Sequence, residues 1–487
     1  MPLSSESPAQ PVGAPRTAVA ALLAAAVLTA CAGGPDYVAP TAPATTRFTA
    51  TPIPNLDGDE QRLDAGQAPA AAWWTLLAAP RLDALVQQAL AANRSLASAR
   101  STLAAAQALE AATDSRRYPQ AELDALAGRQ KYGVAFSGPV KFPPFTYYSI
   151  GPSVSYAFDF AGGVRRSIEE QHAHVDYTRH ELEAAALTVS GEVVQQALAA
   201  ASARSQIERL QEQLDDDEKN LQLVHDAFDA GGATRVDVLT AQSQLDSDKA
   251  FMPPLRRALG LANHRLALLV GEAPADWAAP DFKVEEFTLP AQLPVAIPSE
   301  LVHRRPDLLA AEAQLHAATA AVGVAGADLY PHISISATAT LQANKLGSLF
   351  EAASAAGGLA GSLTAPLFNH GALKAKKRAA VENMNASLAT YQQTVLHAFT
   401  EVADALESLN QDTEAVHSEQ SAAATARENL ALTRESYRVG NSGVLQVLEA
   451  QRQSGRARVE LLRAKVQRFQ DTVDLLLAVG GPPALAP

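Results

Sequence analysis

The chain contains a single cysteine, Cys31, and fewer basic than acidic residues. One cysteine cannot form an intramolecular disulfide, and it cannot build a cysteine-ligated zinc site. With 39 Lys and Arg against 52 Asp and Glu, the net charge is −13, so the sequence has no electrostatic footprint for nucleic acid. The histidines are scattered and form no His-x-x-x-His pair near an acid, which argues against a metal site. We therefore expect no cofactor and no nucleic-acid partner.

Motifs of enzymes are also missing from the sequence. It has no Gly-x-Ser-x-Gly elbow, no glycine-rich phosphate loop and no acid pair on a pocket-forming motif. We expect that the protein is not an enzyme.

The N-terminus has the pattern of an export signal. Arg16 precedes an apolar run, Ala18 to Leu28, that is too short to span a membrane as a helix. The run closes with Leu28-Thr29-Ala30-Cys31, which resembles the lipobox of bacterial lipoproteins. That resemblance implies a signal peptide over residues 1–30 and a lipid-modified Cys31 at the mature N-terminus. Ala32 is not Asp, so the inner-membrane retention signal of such lipoproteins is absent. The alternative is an ordinary signal peptide that ends near an incidental cysteine.

The two halves of the chain repeat each other about 209 residues apart. Nine positions match in one register: Leu223, Phe228, Gly231, Val236, Val238, Leu239, Ala241, Gln242 and Gln244 recur as Leu432, Tyr437, Gly440, Leu445, Val447, Leu448, Ala450, Gln451 and Gln453. This period is far longer than that of solenoid repeats, so it indicates a duplicated supersecondary unit.

Each half contains two segments that alternate between apolar and polar residues. His332 to Ala343 alternates without a fault, and Thr146 to Phe160 repeats the pattern with aromatic residues on its apolar side. Weaker partners are Ala121 to Ala127 and Leu359 to Leu367. The sequence therefore predicts one β-hairpin in each half, at about residues 120–160 and 332–368.

Strands of this length and pattern suit the wall of a membrane barrel. Four strands are too few to close one, and free edges in hydrocarbon would leave backbone groups without hydrogen-bond partners. We therefore expect an oligomer in which other copies of the chain complete the barrel. The alternative is a soluble four-stranded sheet that is covered by helices.

Two segments without proline, Val164 to Ala230 and Lys374 to Val439, could each form one helix of roughly 66 residues and about 100 Å. The second has apolar residues at strict sevens from Val381 to Tyr437, and the first shows the same spacing from Val193 to Phe228. This spacing predicts coiled-coil seams. Shorter helical segments flank them: Leu82 to Arg117, Thr234 to Leu269, Glu300 to Leu329 and Val444 to Val479.

These patterns predict the domain organisation and the fold class. An extended N-terminal segment covers residues 31–80, the first repeat residues 81–272, a proline-rich linker residues 273–298, the second repeat residues 299–480 and a tail residues 481–487. The predicted helical hairpins turn at 231–232 and 440–441. The fold class is mainly α with a small membrane β part, built from a duplicated β-hairpin and long coiled-coil helices.

Several stretches resemble the outer-membrane factor family, the TolC-like exit ducts, and most closely its lipoprotein branch, the NodT type, which serves resistance-nodulation-division efflux pumps. They are Cys31 to Tyr37, Trp73-Trp74, Ser155 to Phe160 and Pro298 to Asp307 with Tyr330-Pro331. The resemblance implies a homotrimer, in which a twelve-stranded β-barrel in the bacterial outer membrane continues into a twelve-helix α-barrel in the periplasm. It also implies two partners, a periplasmic adaptor protein and an inner-membrane pump of that class, besides outer-membrane lipid.

The resemblance also implies sites at the hairpin tips. Asp237 and Glu449 match acids of the family's periplasmic gate, and Gln446 stands where many relatives have Asp. Three copies of an acid around a narrow pore would repel one another, which raises their pKa and attracts cations. Gly231, Gly232, Gly440 and Asn441 match the tips where the adaptor docks. The alternative for Asp237 and Glu449 is a solvated helix face.

The expected function is a passive exit duct for drugs or other small molecules. A type I protein-secretion duct is the alternative within the same family. A periplasm-spanning tether without a pore is a third reading, although it has no use for four membrane-length strands.

Overall fold

The structure is a computed structural model, which describes residues 34–41, 43–50, 61–67, 69–132 and 143–481. Cys31 and the signal peptide predicted over residues 1–30 lie outside the described residues. The chain forms two compact units. The strand unit comprises Met1–Ala39, Ala105–Val175 and Ala313–Ala389, and the helical unit comprises Pro40–Ala104, Asp176–Glu312 and Thr390–Pro487. Each unit takes segments from both sequence repeats.

The described residues form nine α-helices and six strands. The helices are α1 (Pro80–Ala92), α2 (Arg94–Asp114), α3 (Gly163–Asp229), α4 (Arg235–Lys249), α5 (Met252–Leu269), α6 (Pro298–Leu301), α7 (Pro306–Ala327), α8 (Ala372–Arg438) and α9 (Val444–Val479). The strands are β1 (Arg62–Ala65), β2 (Gln120–Gln130), β3 (Phe145–Phe158), β4 (Gln292–Val295), β5 (His332–Ala343) and β6 (Ala355–Thr364).

The strand unit contains one antiparallel sheet with the order β2-β3-β5-β6. Its register places the predicted apolar positions side by side, because Val154 pairs with Ala337, which pairs in turn with Leu359. The polar positions pair with one another on the other face, as Ser155 does with Ser336. The two predicted hairpins and their two-faced pattern are confirmed. β2 and β6 have no partner on their outer edges among the described residues.

The two long helices are confirmed as single helices of 67 residues each. The seam of α8 is buried along its middle, from Val395 through Val402 and Leu409 to Val416. Its end at Tyr437 is 43% exposed, so one chain alone covers only part of the seam.

Two of the flanking helices, predicted as continuous, are interrupted, and the prediction was wrong there. Asn93 separates α1 from α2. Its side-chain oxygen caps α2 by accepting a hydrogen bond from the Leu96 amide at 3.2 Å. Its side-chain nitrogen donates to the Leu269 carbonyl at 2.8 Å. The second break lies before Pro306, which opens α7 with Asp307 in its first turn. The Met252-Pro253-Pro254 break was predicted and separates α4 from α5.

The proline-rich linker is part of the helical unit's core. β4 pairs in parallel with β1, and Phe282 and Phe287 of the same linker pack in one cluster with Trp73 and Trp74. The Trp73 ring is fully buried and its Nε1 donates to Ser190 Oγ at 3.3 Å. Both tryptophans therefore pack in the core of the helical unit.

Candidate functional site

The first hairpin turns at Gly231, immediately after α3. The Gly231 amide donates to the Phe228 carbonyl at 2.9 Å, and the Gly232 amide donates to the Ala227 carbonyl at 2.7 Å. This pair of bonds is a Schellman motif, which needs a left-handed residue at its centre. Gly231 supplies it with a φ of +76°.

The second hairpin repeats the same turn at Gly440, after α8. The Gly440 amide donates to the Tyr437 carbonyl at 3.0 Å and the Asn441 amide to the Ser436 carbonyl at 2.9 Å. The φ of Gly440 is +81°. The two predicted turns are thus confirmed, and they have one geometry.

Asp237 closes a capping box at the start of α4. Its carboxylate accepts hydrogen bonds from both the amide and the hydroxyl of Thr234, each at 2.7 Å, and its own amide donates to Thr234 Oγ1 at 3.3 Å. These bonds satisfy backbone donors that a helix start leaves open. The hydrogen bonds from Thr234, the backbone bond first, hold the pKa of Asp237 below its ordinary value. This lowering of the pKa within one chain is opposite to the rise that repulsion between three copies of Asp237 around a pore would cause.

Gln446 has the same position in the second repeat as Asp237 in the first. Its side-chain oxygen accepts from the Gly443 amide at the start of α9. The side chain of Gln446 therefore makes the same bond to the helix start as the Asp237 carboxylate, but it carries no charge. Glu449, one turn further along α9, pairs with Arg452 and accepts from Gln453 at 3.1 Å.

The two tips pack against each other within the helical unit. Val224, Val238 and Ala241 form a buried cluster at the first tip, and Val444 and Leu448 of the second tip lie against it. A polar network crosses the same contact, because Gln451 donates to Asp216 at 3.1 Å and accepts from Asn220 at 3.0 Å. Arg434 reaches the same Asp216 carboxylate at 3.7 Å. Each tip therefore helps to position the other.

Apolar side chains remain exposed around both tips. Val236 is 69% exposed and Val439 is 56% exposed, and the same set includes Leu223, Leu239, Leu432 and Leu445. Apolar surface in this amount at a turn is typical of a surface that another protein covers.

Sequence reasoning missed two carboxyl pairs between the long and the short helices. Asp217 of α3 and Asp248 of α4 are both more than nine-tenths buried. Burial, and then the neighbouring Asp248, raises the pKa of Asp217 from 3.8 to about 7. Gln213 and Gln244 donate to Asp248 at 2.6 and 2.7 Å. Below about pH 7 the raised pKa of Asp217 therefore lets the two carboxyl groups share a proton.

The second pair is formed by Asp412 of α8 and Asp471 of α9. Burial, and then Asp471, raises the pKa of Asp412 to about 7, while Arg468 acts in the opposite direction. The heptad seams of α3 and α8 contain a sequence signal for both pairs. Asp217 stands three residues after Leu214 and Asp412 three residues after Leu409, at heptad positions that are apolar one heptad earlier, at Leu210 and Ala405.

The Arg304-Arg305 motif has a packing role. Arg305 is 8% exposed, lies 2.7 Å from carboxylate oxygens of both Asp307 and Glu401, and donates to the Ala478 carbonyl at 3.0 Å. Since its guanidinium is occupied by protein acceptors, this motif is not a phosphate site.

The comparisons with known proteins agree with this architecture. The family described as "Outer membrane efflux protein" matches residues 85–272 and 297–481, once in each repeat. The pyoverdine export outer membrane protein OpmQ of Pseudomonas aeruginosa is 31% identical over 417 residues, which cover 84% of this chain and 87% of that protein. The outer membrane protein OprJ of the same species is 28% identical and covers 96% of both chains.

A solved structure has the same fold. The structure of the outer-membrane channel OprN superposes with a TM-score of 0.84 at 28% identity, and the match covers 93% of this chain and 99% of that chain.

Proposed function

This chain belongs to the outer membrane efflux protein family and is an outer-membrane efflux channel, and we propose that three copies of it close one duct for small molecules. The main support is the four-stranded sheet, which has a continuous apolar face and two unpaired edges, β2 and β6, among the described residues. In hydrocarbon these edges need partners, and the β2 edge of one copy can pair with the β6 edge of the next.

The duct is passive and belongs to a tripartite efflux system. An adaptor protein in the periplasm and an inner-membrane pump of the resistance-nodulation-division class supply the energy and select the cargo. The family's description as an efflux protein and the two nearly identical tips support this assignment.

The experiment uses the full chain, purified in detergent and reconstituted into a planar bilayer. We expect a particle of three chains and single-channel conductance. A folded monomer in detergent-free buffer, or trimers that conduct nothing, would contradict the proposal.

A matched pair of variants tests which face of the sheet meets lipid. Leu359 lies on the apolar face of β6 and is 80% exposed, while Ser362 lies on the opposite face and pairs with Ser334. We expect Leu359→Arg to lose about 2–4 kcal/mol of stability in the bilayer, since a lipid-facing cation near the middle of a strand costs this much. Ser362→Arg should still assemble and should change the conductance instead. Equal yields of heat-resistant trimer from the two variants would contradict the assignment of the faces.

The tips serve two roles in the proposed duct. Asp237 and Glu449 form the acidic groups of the periplasmic gate, and Gln446 removes one charge per chain from it. Gly231, Gly232, Gly440 and Asn441 shape the surface on which the adaptor docks, and the exposed apolar residues around them are what the adaptor covers. The repeated geometry supports this, because two equal turns offer an adaptor two similar surfaces.

Cys31 is the proposed lipid anchor, which holds the mature N-terminus at the outer membrane. Its support is the lipobox Leu28-Thr29-Ala30-Cys31 and the apolar run before it.

A further inference from the structure

A dense basic cluster stands at the start of α8, in the strand unit. Lys374, Lys376, Lys377 and Arg378 occur within five consecutive residues, and no acidic residue lies between Glu351 and Glu382. The whole chain has a net charge of −13. The cluster is therefore a local positive surface on an acidic protein.

Neither ion pairing nor helix stability explains these four cations. None of them has an ion-pair partner within the part of the chain that the structure describes, and the first turn of α8 contains no acid. Lys374, Lys376 and Arg378 are exposed, and Lys377 is half-buried. Cations near a helix N-terminus face the positive end of the helix dipole, which is unfavourable. An anion from outside the chain would pair with these cations and would offset their unfavourable position at the positive end of the helix dipole.

Three of the cations line a cavity. Lys374, Lys377 and Arg378 surround a volume of about 460 Å³ together with Leu329, Gly371 and Val381. The lining combines positive charge with apolar side chains. This combination fits a group that is anionic at one end and apolar at the other.

The cluster follows directly on surface that suits lipid tails. Leu367 is 95% exposed and Phe368 is 86% exposed, and both stand between the end of β6 and the start of α8. Within a few residues the chain thus changes from exposed apolar side chains to exposed cations. This is the order expected where a barrel wall leaves the hydrocarbon and enters the headgroup layer.

A second observation places the membrane surface here, and it rests on the proposed lipid anchor. A Cβ on Gly34 would lie 2.5 Å from the Cα of Gly323, so the N-terminal segment runs close against α7. A Cβ on the nearby Gly326 would lie 3.8 Å from the Gly34 amide nitrogen and 3.9 Å from Lys377 Nζ. Cys31 precedes Gly34 by three residues, so the length of the chain keeps the Cα atoms of Cys31 and Gly34 within about 11 Å of each other.

We propose that the basic cluster binds the headgroup of an anionic phospholipid in the inner leaflet of the outer membrane. The lipid phosphate accepts hydrogen bonds from Lys374, Lys377 and Arg378, and the acyl chains lie toward Leu367 and Phe368. Lys376 adds charge at the rim. The site would hold the junction of sheet and helices at a fixed depth, next to the N-terminal anchor.

The test measures lipid retention on the purified full-length assembly by native mass spectrometry. Phosphatidylglycerol and phosphatidylcholine with identical acyl chains are added at equal concentration. We expect the wild type to retain phosphatidylglycerol about 10- to 100-fold better, because each basic side chain near an anionic surface contributes to binding. The triple variant K374Q/K377Q/R378Q should retain both lipids equally.

A matched variant controls for the loss of three positive charges. R256Q/R257Q/R427Q removes three exposed cations, none with an ion-pair partner among the described residues, and should keep the wild-type preference. K374R/K377R retains the charge and should also keep it. Inorganic phosphate at millimolar concentration should not displace the lipid, and displacement would identify a free-phosphate site instead.

The proposal would be overturned if the wild type retained the two lipids equally. It would also be overturned if both triple variants lost the preference for phosphatidylglycerol to the same extent. If K374Q/K377Q/R378Q does not assemble, the salt dependence of lipid retention by the wild type tests the proposal instead. A preference for phosphatidylglycerol that is unchanged by added NaCl would exclude an electrostatic site. Conductance is measured in parallel. If K374Q/K377Q/R378Q loses the lipid preference but conducts as the wild type does, the lipid site and the duct are shown to be independent.

Discussion

At the scale of single residues, the carboxylate of Asp237 has a capping role and a proposed role at the gate. It caps α4 through Thr234, and it brings a negative charge to the tip. Gln446 shows that the chain can keep the cap without the charge, since it caps α9 in the same way. The gate role of Asp237 must therefore be tested by a change that removes the charge and preserves the cap.

Asp237→Asn is such a change. An amide oxygen can still accept from Thr234, while the charge at the gate is lost. We expect the ratio of cation to anion permeability to fall by roughly twofold, since rings of acids set cation preference. The measurement is the reversal potential of single channels in a salt gradient.

Thr234→Ala serves as the control for Asp237→Asn, because it removes the two hydroxyl bonds of the capping box and keeps the charge. Its ion preference should remain that of the wild type. If Thr234→Ala changed the reversal potential and Asp237→Asn did not, the role of Asp237 would be helix capping alone.

The buried pair of Asp217 and Asp248 makes stability depend on pH. The pKa of Asp217 is raised to about 7 in the folded chain, while the unfolded chain keeps the ordinary value of 3.8. Between these values the folded state binds more protons, so the free energy of unfolding falls as pH rises through this window and stays low above it.

Asp217→Asn should therefore stabilise the protein at pH 8 and have little effect near pH 4. One pKa unit corresponds to about 1.4 kcal/mol, so the upper limit of the gain is about 4 kcal/mol. Apparent melting temperatures in detergent at the two pH values measure it. Asp215→Asn is the control, since Asp215 is exposed on the same helix and accepts only from Gln211 nearby. A gain of the same size at both pH values would exclude a shared proton.

At the scale of elements, the duplicated hairpin reproduces one turn twice. Gly231 and Gly440 both adopt left-handed φ values, and a Cβ at either would meet no atom within 4 Å. Their requirement for glycine thus comes from the backbone conformation and not from crowding. Gly232, by contrast, has no positive φ, and a Cβ there would meet only the Ala227 carbonyl oxygen at 3.5 Å.

Gly440→Ala should destabilise the second tip by about 1–2 kcal/mol, because a left-handed conformation costs this much with a Cβ. Hydrogen exchange of the amides of Gly440 and Asn441 should become faster, and adaptor affinity should fall with it. Gly232→Ala should leave the exchange of these two amides unchanged. Similar exchange rates in the two variants would show that the turn does not depend on its glycine.

At the scale of the whole molecule, the chain leaves two kinds of surface uncovered. Among the residues that the structure describes, the sheet has two open edges. The apolar seams of α3 and α8 are only partly buried, with Phe228 and Tyr437 exposed at their ends. Both surfaces are covered if further copies of the chain assemble around a common axis.

The proposed lipid anchor is a second feature of the whole assembly. Because Cys31 is the only cysteine, Cys31→Ser should abolish incorporation of labelled palmitate completely. The trimer should still form, since the strands and not the anchor close the barrel. Labelled palmitate that persists in Cys31→Ser would refute the lipidation of this residue.

The sequence alone determined the repeat, the two hairpins, the two long helices and both turning points. These features depend on local periodicity and on glycine, which a linear chain displays directly. Val395, Val402 and Leu409 are buried as their heptad spacing predicts. The sequence also singled out Asp237 and Gln446 as candidate gate positions, but it did not show their capping bonds.

Only the tertiary structure decided which residues meet across the chain. Three contacts join segments far apart in sequence: the pairing of Asp217 with Asp248, the hydrogen bond that Asn93 donates to the Leu269 carbonyl, and the packing of Phe282 and Phe287 with Trp73. The cavity beside Lys374 and Lys377 likewise needs Leu329 from another helix end. Periodicity fixes which face of an element is apolar, but the partner of that face depends on how the chain folds back, and no local pattern records it.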